Sequence, residues 1–457
     1  MKLDYKRTIL VGLAFLSISA FWQMYDSVVP LILTNNFGLN ETWSGVIMAA
    51  DNILALFLLP FFGALSDKIN TPIGRRMPFI LCGTVCAVVL VKLLPWLANG
   101  YYASKSTAML IGFVVVLGLL LIAMGTYRSP AVALMPDVTP KPLRSKGNAI
   151  INLMGALGGI LYLAVTAVLY SGARIEAHYT LGYIEGVDGV QTAVVNYSTL
   201  FTVVSVIMVA AVAVLFLTIR EPKLAALNRE FEEKHPDLNL AEKTEDGREE
   251  LPRGVKKSLL FLLLSIALWF VGYNGVTTWF TTYISRVMGE GIGGASTCLL
   301  VATGGAILSY IPAGNIASKI GRRKTIMGGV VLLAACFLIG GMYMNNATSI
   351  SPIAYACFAV IGLAWACINV NSLPMVVEMC KGSDVGKFTG YYYTFSMAAQ
   401  VVTPIVAGTL LRTVGYKILF PYAAFFVACS FVTMTMVRHG DNKVEAKRGL
   451  DAFDMDD

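Results

Sequence analysis

Charged side chains lie within several long apolar stretches of this sequence, and among them are Asp26, Asp51 and Arg128. A charged group in the hydrocarbon core of a membrane is costly, so it usually faces a cavity or pairs with an opposite charge. Arg128 is therefore a candidate counter-ion for either aspartate. A carboxyl group in such a place is a candidate functional group, and we single out these three residues as one candidate cluster. The alternatives are structural: an aspartate bonded to a neighbouring helix, and a fixed ion pair for the arginine.

Amide and aromatic side chains accompany these charges at similar depths in several apolar stretches. Gln23 and Asp26 are three residues apart and share one helix face, with Trp22 one turn before Asp26. A ring beside an amide and a carboxylate suits a polyol, because sugar faces stack on aromatic rings while the hydroxyl groups take hydrogen bonds. For each aromatic residue alone, packing or a place in an interfacial belt is the alternative. The predicted substrate-binding residues are Trp22, Gln23, Tyr25, Asn152, Tyr273, Asn274, Trp279, Trp365, Asn369 and Gln400.

A basic hinge separates two of the apolar stretches at Gly63–Pro78 (GALSDKINTPIGRRMP), and a reduced copy separates two others at Gly314–Lys324 (GNIASKIGRRK). Both copies begin with glycine and carry Gly-Arg-Arg near their end, which indicates a duplicated chain whose halves use the same latch between helices. Ser318 replaces Asp67 in the second copy. Simple anchoring by positive charge on one side of the membrane is the alternative. The predicted latch residues are Gly63, Asp67, Lys68, Arg75, Arg76, Asp137, Lys319, Arg322, Arg323 and Glu378.

The elements that must position these residues belong to a chain too apolar for a soluble protein. Of its 457 residues 56% are hydrophobic and 14% are charged, and its mean hydropathy is +0.68. An apolar stretch of roughly 20 residues is long enough to span a membrane as a helix. We therefore predict an all-α membrane protein with twelve transmembrane helices, at residues 8–33, 43–65, 78–98, 108–130, 147–171, 197–219, 258–285, 294–316, 325–344, 352–376, 386–411 and 415–437.

A charged linker at 220–257 divides the chain almost evenly into two six-helix halves, 1–219 and 258–437, and residues 438–457 follow as a tail. Within the linker, Pro222–Lys234 has the apolar spacing of an amphipathic surface helix. We predict the two halves as separate helical bundles and the linker and tail as cytoplasmic segments.

Lysine and arginine concentrate in the loops on the same side as the two termini, which predicts that both termini are cytoplasmic. These lysines and arginines account for the net charge of +7, so we expect no nucleic-acid partner. Thr8–Leu33 is too long for the apolar core of a signal peptide and is predicted to remain as the first span. Residues 172–196 are expected to form a polar external loop, to which the sequence assigns no role.

The eight cysteines are scattered, mostly through apolar stretches, without a paired motif, and all three histidines fall in predicted loops. Packing thiols are the expectation for such cysteines. We predict no metal site, no cofactor and no catalytic residue. No nucleophile–base pair or appended soluble domain supports an enzyme or a sensor that does not transport.

The doubled hinge resembles the signature of the major facilitator superfamily, over nearly the whole chain. Its expanded form, SDKINTPIGRRMPFI, resembles the hinge of the sucrose-type proton symporters of plants and animals, which are related to the glycoside–pentoside–hexuronide symporters. Pro130 with Leu134–Asp137, Trp279 and Gln400 support this likeness. The resemblance implies two pseudo-symmetric six-helix bundles, a substrate site between them at mid-membrane, and alternating access by rocking.

Three positions depart from these relatives. Leu121 stands where the plant proteins have an acidic residue, nine positions before the proline that matches Pro130. Ala55 and Leu59 stand where the sodium-coupled melibiose-type relatives place two acids, so sodium coupling loses its expected ligands. Proton coupling must then depend on the two aspartates inside the spans.

We therefore predict a proton-coupled symporter for a disaccharide or related glycoside, acting as a monomer in the lipid bilayer of a bacterial inner membrane. In this hypothesis Asp26 is protonated on the outer side, sugar binds, and both are released inside. Protonation would break a pairing between Asp26 and Arg128. The alternative is a proton-coupled exporter of a drug or metabolite, which would favour a larger and more apolar cavity.

Overall fold

The computed structural model describes residues 3–140, 143–234, 252–379 and 385–441. Predictions for the middle of the linker and for most of the tail lie outside these ranges. Helices dominate the described chain, with one two-stranded sheet. In chain order the elements are α1 (Tyr5–Leu31) with a π-helical turn (Ile32–Asn36), α2 (Glu41–Lys68), α3 (Met77–Ser104), α4 (Thr107–Val138), α5 (Arg144–Leu169), α6 (Gly172–Arg174), β1 (Thr180–Glu185), β2 (Gln191–Val195), α7 (Ser198–Thr218), α8 (Glu221–Lys234), α9 (Arg253–Met288), α10 (Ile292–Ile320), α11 (Arg322–Met344), α12 (Pro352–Val377), α13 (Val385–Thr413) and α14 (Leu419–Thr435).

Twelve helices of the described chain are long and apolar enough to cross a membrane, which agrees with the twelve predicted spans. They are α1–α5, α7 and α9–α14; α6 is a single turn, and α8 is too polar to span. The predicted amphipathic helix in the linker is present as α8, with Ala225 and Asn228 buried on one side. Each apolar stretch predicted as a span therefore corresponds to one of these twelve helices.

Several helices run past the predicted ends, and α4 is the clearest case. The sequence predicts its end at Pro130, but the helix continues to Val138 through two prolines. A proline removes its own N–H donor from the helix, and neighbouring helices can satisfy the backbone groups that this disturbs. Here Ser129 Oγ ties α4 to α2 by donating to the carbonyl oxygen of Leu59 at 2.8 Å. The extension carries Asp137 to the end of α4.

Glycines allow close helix approach inside each half. α1 packs along α5, and a Cβ atom at Gly158 would lie 2.1 Å from the carbonyl oxygen of Leu16. α10 packs along α12, where a Cβ atom at Gly362 would lie 2.1 Å from the carbonyl oxygen of Ala302. Small residues at such crossings let backbones meet directly.

The two halves meet mainly through three helix pairs: α1 with α9, α2 with α13, and α5 with α10. The α2–α13 pair depends on two glycines. A Cβ atom at Gly45 would lie 2.2 Å from the carbonyl oxygen of Pro404, and one at Gly408 would lie 2.3 Å from that of Glu41. Neither position has room for a side chain while these helices are in contact.

The two ends of the molecule differ. One end, which we call the hairpin face, carries β1 and β2, paired antiparallel from Thr180 opposite Val195 to Glu185 opposite Gln191. The other end, the hinge face, carries the two Gly-Arg-Arg hinges. The segment at 172–196, which was expected only as a polar loop, is thus a folded hairpin. The contacts between the halves lie toward the hairpin face, because they involve the start of α2 and the ends of α1, α5 and α9.

Both hinges turn at a glycine with a positive φ angle, 120° at Gly74 and 94° at Gly321. L side chains rarely adopt such backbone conformations, so glycine is required there. In the first hinge α2 ends at Lys68 and α3 begins at Met77. The second hinge is shorter than predicted, because α10 and α11 are separated by Gly321 alone.

Candidate functional site

A cavity of about 270 Å³ lies between the two halves. The first half lines it with α1, α2 and α4, and the second half lines it with α9 and α13. A site built from both halves changes whenever the halves move relative to each other. The lining residues are Trp22, Asp26, Met48, Asp51, Asn52, Ala55, Arg128, Asn274, Thr277, Thr278, Gln400 and Pro404.

The first half supplies the charged wall of this cavity. Asp51 and Arg128 attract each other electrostatically. The carboxylate of Asp51 also accepts two hydrogen bonds from Asn52, from the backbone N–H at 2.5 Å and from Nδ2 at 2.8 Å. The Arg128 guanidinium carbon lies 5.9 Å from the centre of the Trp22 ring, within the range of a cation–π contact. Asp51 and Arg128 are therefore opposite charges on the same wall that act on each other at a distance, since no ion pair within 4.0 Å joins them among the described residues.

The expected pair between Asp26 and Arg128 does not form. Among the described residues no ion pair within 4.0 Å joins these two groups, and the carboxylate that acts electrostatically on Arg128 is that of Asp51. Asp26 instead has the like charge of Asp51 as its neighbour, with the hydroxyl groups of Tyr25 and Tyr162 also near it. Asp26 is thus an acid in the cavity without a cation of its own.

The second half supplies a neutral polar wall. Asn274, Thr277 and Thr278 come from α9 and Gln400 from α13. Nδ2 of Asn274 is buried without a hydrogen-bond partner in the described chain, and so is Nε1 of Trp22 across the cavity. Unpaired buried donors are rare in folded proteins, and each one calls for an explanation. A ligand with acceptor oxygens would satisfy both donors.

Three predicted aromatic residues do not line the cavity. Trp279 is fully buried, and its indole N–H donates to the carbonyl oxygen of Pro404 at 3.2 Å. Tyr273 and Trp365 stack on each other, with ring centroids 3.7 Å apart and planes 8° apart. Rings that pack on one another need no ligand. These residues support the second half instead of forming the cavity wall.

Four further predicted residues also lie outside the lining: Gln23, Tyr25, Asn152 and Asn369. The side chain of Gln23 donates to Ser27 one turn later at 3.4 Å, and Asn369 is bonded to Tyr310. Residues three apart on a helix differ in direction by about 60°. That angle is enough to turn Gln23 away from the cavity that Asp26 lines, although the sequence placed them on one face.

Some lining residues were not predicted. Asn52 adjoins Asp51 in the sequence, and Thr277 and Thr278 belong to a span with unusually many hydroxyl groups. Those signals could have identified the three residues. Met48, Ala55 and Pro404 also line the cavity but are apolar, so their sequence positions carry no such signal.

On the hinge face, Arg76 joins three helix ends within the first half. It is 5% exposed, and its Nε donates to Asp137 at the end of α4 at 2.8 Å. It also bonds to Asp67 and Ser66 at the end of α2. Burial alone would lower the pKa of Arg76, but these carboxylates raise it. The arginine therefore stays charged and holds the predicted latch residues together with the carbonyl group of Gly63.

Glu221, at the start of α8, completes this network and was not predicted. Its buried carboxylate accepts the backbone N–H groups of Arg75, Arg76 and Met77 at 2.7–3.1 Å. These donors lie at the beginning of α3, where helix N–H groups otherwise lack partners. A Cβ atom at Gly74 would lie 2.2 Å from this carboxylate, so the hinge glycine also makes room for it.

Among the described residues, the second half repeats part of this arrangement. Arg322 pairs with Glu378, while Ser318 supplies no carboxylate in place of Asp67. Asp441 takes the place of Glu221: it accepts the N–H of Arg323 at 3.1 Å and would meet a Cβ atom at Gly321. Arg323 also donates to the carbonyl oxygen of Thr435 at 2.8 Å.

Three predicted latch residues contribute less to the hinge networks than Arg76 and Arg322 do. Lys68 and Lys319 are exposed and form no ion pair among the described residues. Arg75 takes part through its backbone N–H alone. The first hinge network therefore depends on Arg76, the second arginine of its motif, and the second depends on Arg322, the first arginine of its motif. Each also includes a capping acid, Glu221 or Asp441.

Comparison with known proteins identifies the family of this sequence. The model of the Major Facilitator Superfamily matches residues 11–311 and 292–452. The predicted fold class, twelve transmembrane helices in the major facilitator architecture, is confirmed.

The curated relatives include sucrose transport proteins, which confirms the predicted resemblance. The chain is 31% identical over 153 residues to sucrose transport protein SUC3 of Arabidopsis thaliana, which covers 31% of this chain and 25% of that protein. It is 27% identical over 270 residues to sucrose transport protein SUT3 of Oryza sativa subsp. indica, covering 54% and 50%. The chain thus matches a quarter to a half of the length of these relatives.

A solved structure shares the fold over nearly the whole chain. The inward open conformation of the xylose transporter XylE from E. coli has a TM-score of 0.63 at 15% identity, and covers 97% of both chains. At this identity the likeness concerns the fold alone.

Proposed function

Because the chain belongs to the major facilitator superfamily, we propose that it is a proton-coupled symporter that carries a disaccharide or related glycoside. Secondary transporters of this kind place the substrate site between two helical repeats. The sucrose transport proteins among its relatives support a sugar as the substrate. We place the hinge face in the cytoplasm, since lysine and arginine concentrate there, and the protein in a bacterial inner membrane as a monomer.

The observation that carries this proposal is the division of the cavity into a charged wall and a neutral wall. A sugar offers hydroxyl groups that both donate and accept hydrogen bonds. The buried N–H groups of Asn274 and Trp22 have no acceptor in the described chain, and Asp26 and Asp51 bring carboxyl groups to the lining. An apolar drug would satisfy neither set, so the lining favours a polyol.

We assign the coupling proton to Asp26. Burying an ionised carboxylate without a cation is costly, and protonation removes that cost. Asp51 has Arg128 to balance it, so a protonated Asp26 makes the cavity neutral. In the proposed cycle Asp26 takes up a proton from outside, sugar binds between the two walls, the halves rock, and sugar and proton leave toward the hinge face.

The test is Asp26→Asn in cells or proteoliposomes. We expect accumulation of sugar against its gradient to be lost, while exchange of labelled for unlabelled sugar continues, because the sugar contacts remain and the proton site does not. Glu230→Gln is the matched control, since Glu230 is an exposed acid on α8 that pairs with Lys234 among the described residues. Unimpaired accumulation by Asp26→Asn would contradict the assignment.

The alternative function is a proton-coupled exporter. Efflux of a drug or metabolite without sugar-dependent proton uptake would favour it.

A further inference from the structure

We infer that Arg286 acts as a gate residue that helps to hold the hairpin face closed during transport. It lies on α9, in the second half, and its guanidinium group donates to three acceptors in the first half. Nε bonds to Asn35 Oδ1 at 2.9 Å, and Nη2 bonds to the carbonyl oxygen of Thr34 at 3.0 Å. Nη1 bonds to the carbonyl oxygen of Glu185 in β1 at 3.2 Å. One side chain thus ties α9 to both the end of α1 and the hairpin.

The chemistry of the guanidinium group explains why arginine suits this place. Its five N–H donors point in fixed directions around a plane, so three acceptors on different segments can be bound together. All three acceptors are neutral oxygens, and Arg286 has no carboxylate within 4.0 Å among the described residues. Water can replace neutral acceptors when the halves separate, which makes the contact reversible.

Two of the three acceptors of Arg286, on Thr34 and Asn35, lie in the π-helical turn at Ile32–Asn36. Thr34, Asn35 and Asn36 are all buried there, although they are polar. Asn35 Nδ2 also donates to Ser285 Oγ at 3.2 Å, and Asn36 Nδ2 donates to the carbonyl oxygen of Val195 in β2 at 3.3 Å. Single π-helical turns are frequent at functional sites. This turn therefore links α1, the hairpin and α9 at one point.

The hairpin adds further contacts across the same boundary. Thr192 Oγ1 donates to the carbonyl oxygen of Ser285 at 2.8 Å, and Lys417 bonds to Asp188 at 2.8 Å. Asp188 lies at the tip of the hairpin with φ of 53°. Because the hairpin is continuous with α5 and α7 of the first half, rocking of the halves must pull it away from α9 and from Lys417. The hairpin and Arg286 would have to release together.

The first experiment measures distances without any substrate, so that its outcome does not depend on the proposed sugar. Spin labels at Asp188→Cys and Lys417→Cys, introduced into the full chain with its eight native cysteines replaced by serine, report the hairpin face in proteoliposomes. We expect Arg286→Ala to move a large part of the population to longer distances, and Arg286→Lys to have a smaller effect. An unchanged distance distribution in a folded Arg286→Ala protein would overturn the inference.

The second experiment uses a disulfide and covers the case in which Arg286→Ala fails to fold. Oxidation of the protein that carries both Asp188→Cys and Lys417→Cys should abolish most uptake of labelled sucrose. Reduction of the disulfide should restore it. The control pair, Asn99→Cys and Asn196→Cys, joins two contacting residues of the first half, whose side chains bond at 2.9 Å. That pair should transport in both redox states, as should each single-cysteine variant. Wild-type uptake by the oxidised Asp188–Lys417 pair would overturn the inference.

Discussion

Asn274 lines the cavity, and its buried Nδ2 group has no acceptor in the described chain. If a sugar oxygen is that acceptor, Asn274→Ala removes one hydrogen bond from the complex and leaves the fold intact. A hydrogen bond of this kind contributes roughly 0.5–1.5 kcal/mol, so we expect the KM for sugar uptake to rise by about 2- to 10-fold. Initial rates of uptake over a range of sugar concentrations would measure it.

Asn369→Ala is the matched control for this prediction. Asn369 is also an asparagine inside a span of the second half, but it bonds to Tyr310 and does not line the cavity. We expect it to lower the melting temperature without a selective rise in KM. The reverse pattern, with KM affected by Asn369 and not by Asn274, would place the sugar elsewhere.

Glu221 bears on stability more than on substrate binding. Its carboxylate accepts three backbone N–H groups at the start of α3 and is 2% exposed. Glu221→Ala leaves these donors unsatisfied, at a cost of roughly 1–3 kcal/mol. We expect a lower melting temperature of the purified protein, with Glu221→Gln in between because an amide keeps one acceptor oxygen. Equal melting temperatures for all three proteins would show that water or another group caps α3 equally well.

At the residue scale, the sequence identified unusual residues more reliably than it predicted the direction in which their side chains point. The charges at Asp26, Asp51 and Arg128 were identified because a charge in an apolar stretch is unusual. Trp279, Tyr273 and Trp365 were also unusual, but they are satisfied by Pro404 and by each other. Which way a side chain points depends on helix rotation and on the neighbouring helix, and neither is encoded in a single stretch.

At the scale of elements, α2 and α13 close the hairpin face through two glycines. Gly408→Ala would place a methyl group 2.3 Å from the carbonyl oxygen of Glu41, so contact between these helices becomes impossible without a shift. We expect slower uptake and more frequent opening of the hairpin face, measured by spin-label distances between Asp188→Cys and Lys417→Cys.

Gly304→Ala is the control for that prediction, because a Cβ atom there meets no atom within 4 Å. It should leave both the uptake rate and the distances unchanged. Wild-type behaviour of Gly408→Ala would mean that α2 and α13 separate readily in the membrane, contrary to the packing described here.

The helices were predictable at this scale, and the hairpin was not. Twelve apolar stretches of sufficient length leave little choice in a membrane, where backbone groups must be satisfied within the chain. The hairpin at 180–195 is polar and short, and its stability depends on contacts with α9 and the end of α1. Contacts between distant segments are not visible in local sequence patterns. The capping acids Glu221 and Asp441 escaped prediction for the same reason.

At the scale of the whole molecule, charge and contact are distributed unequally between the halves. The first half holds the acids and the arginine of the cavity, and the second half holds the amides and hydroxyl groups opposite them. The contacts that join the halves lie toward the hairpin face, while each hinge network stays within its own half. This arrangement suits two rigid bundles that rock about a shared site.

The most direct test of the central proposal is the pH of a weakly buffered suspension of cells that express the protein, recorded as sucrose, maltose and other sugars are added in turn. Proton symport predicts transient alkalinisation with at least one sugar, which is absent in cells that express Asp26→Asn. That result would establish the coupling and the substrate class together. No pH change with any sugar, in cells shown to contain folded protein, would contradict the proposal.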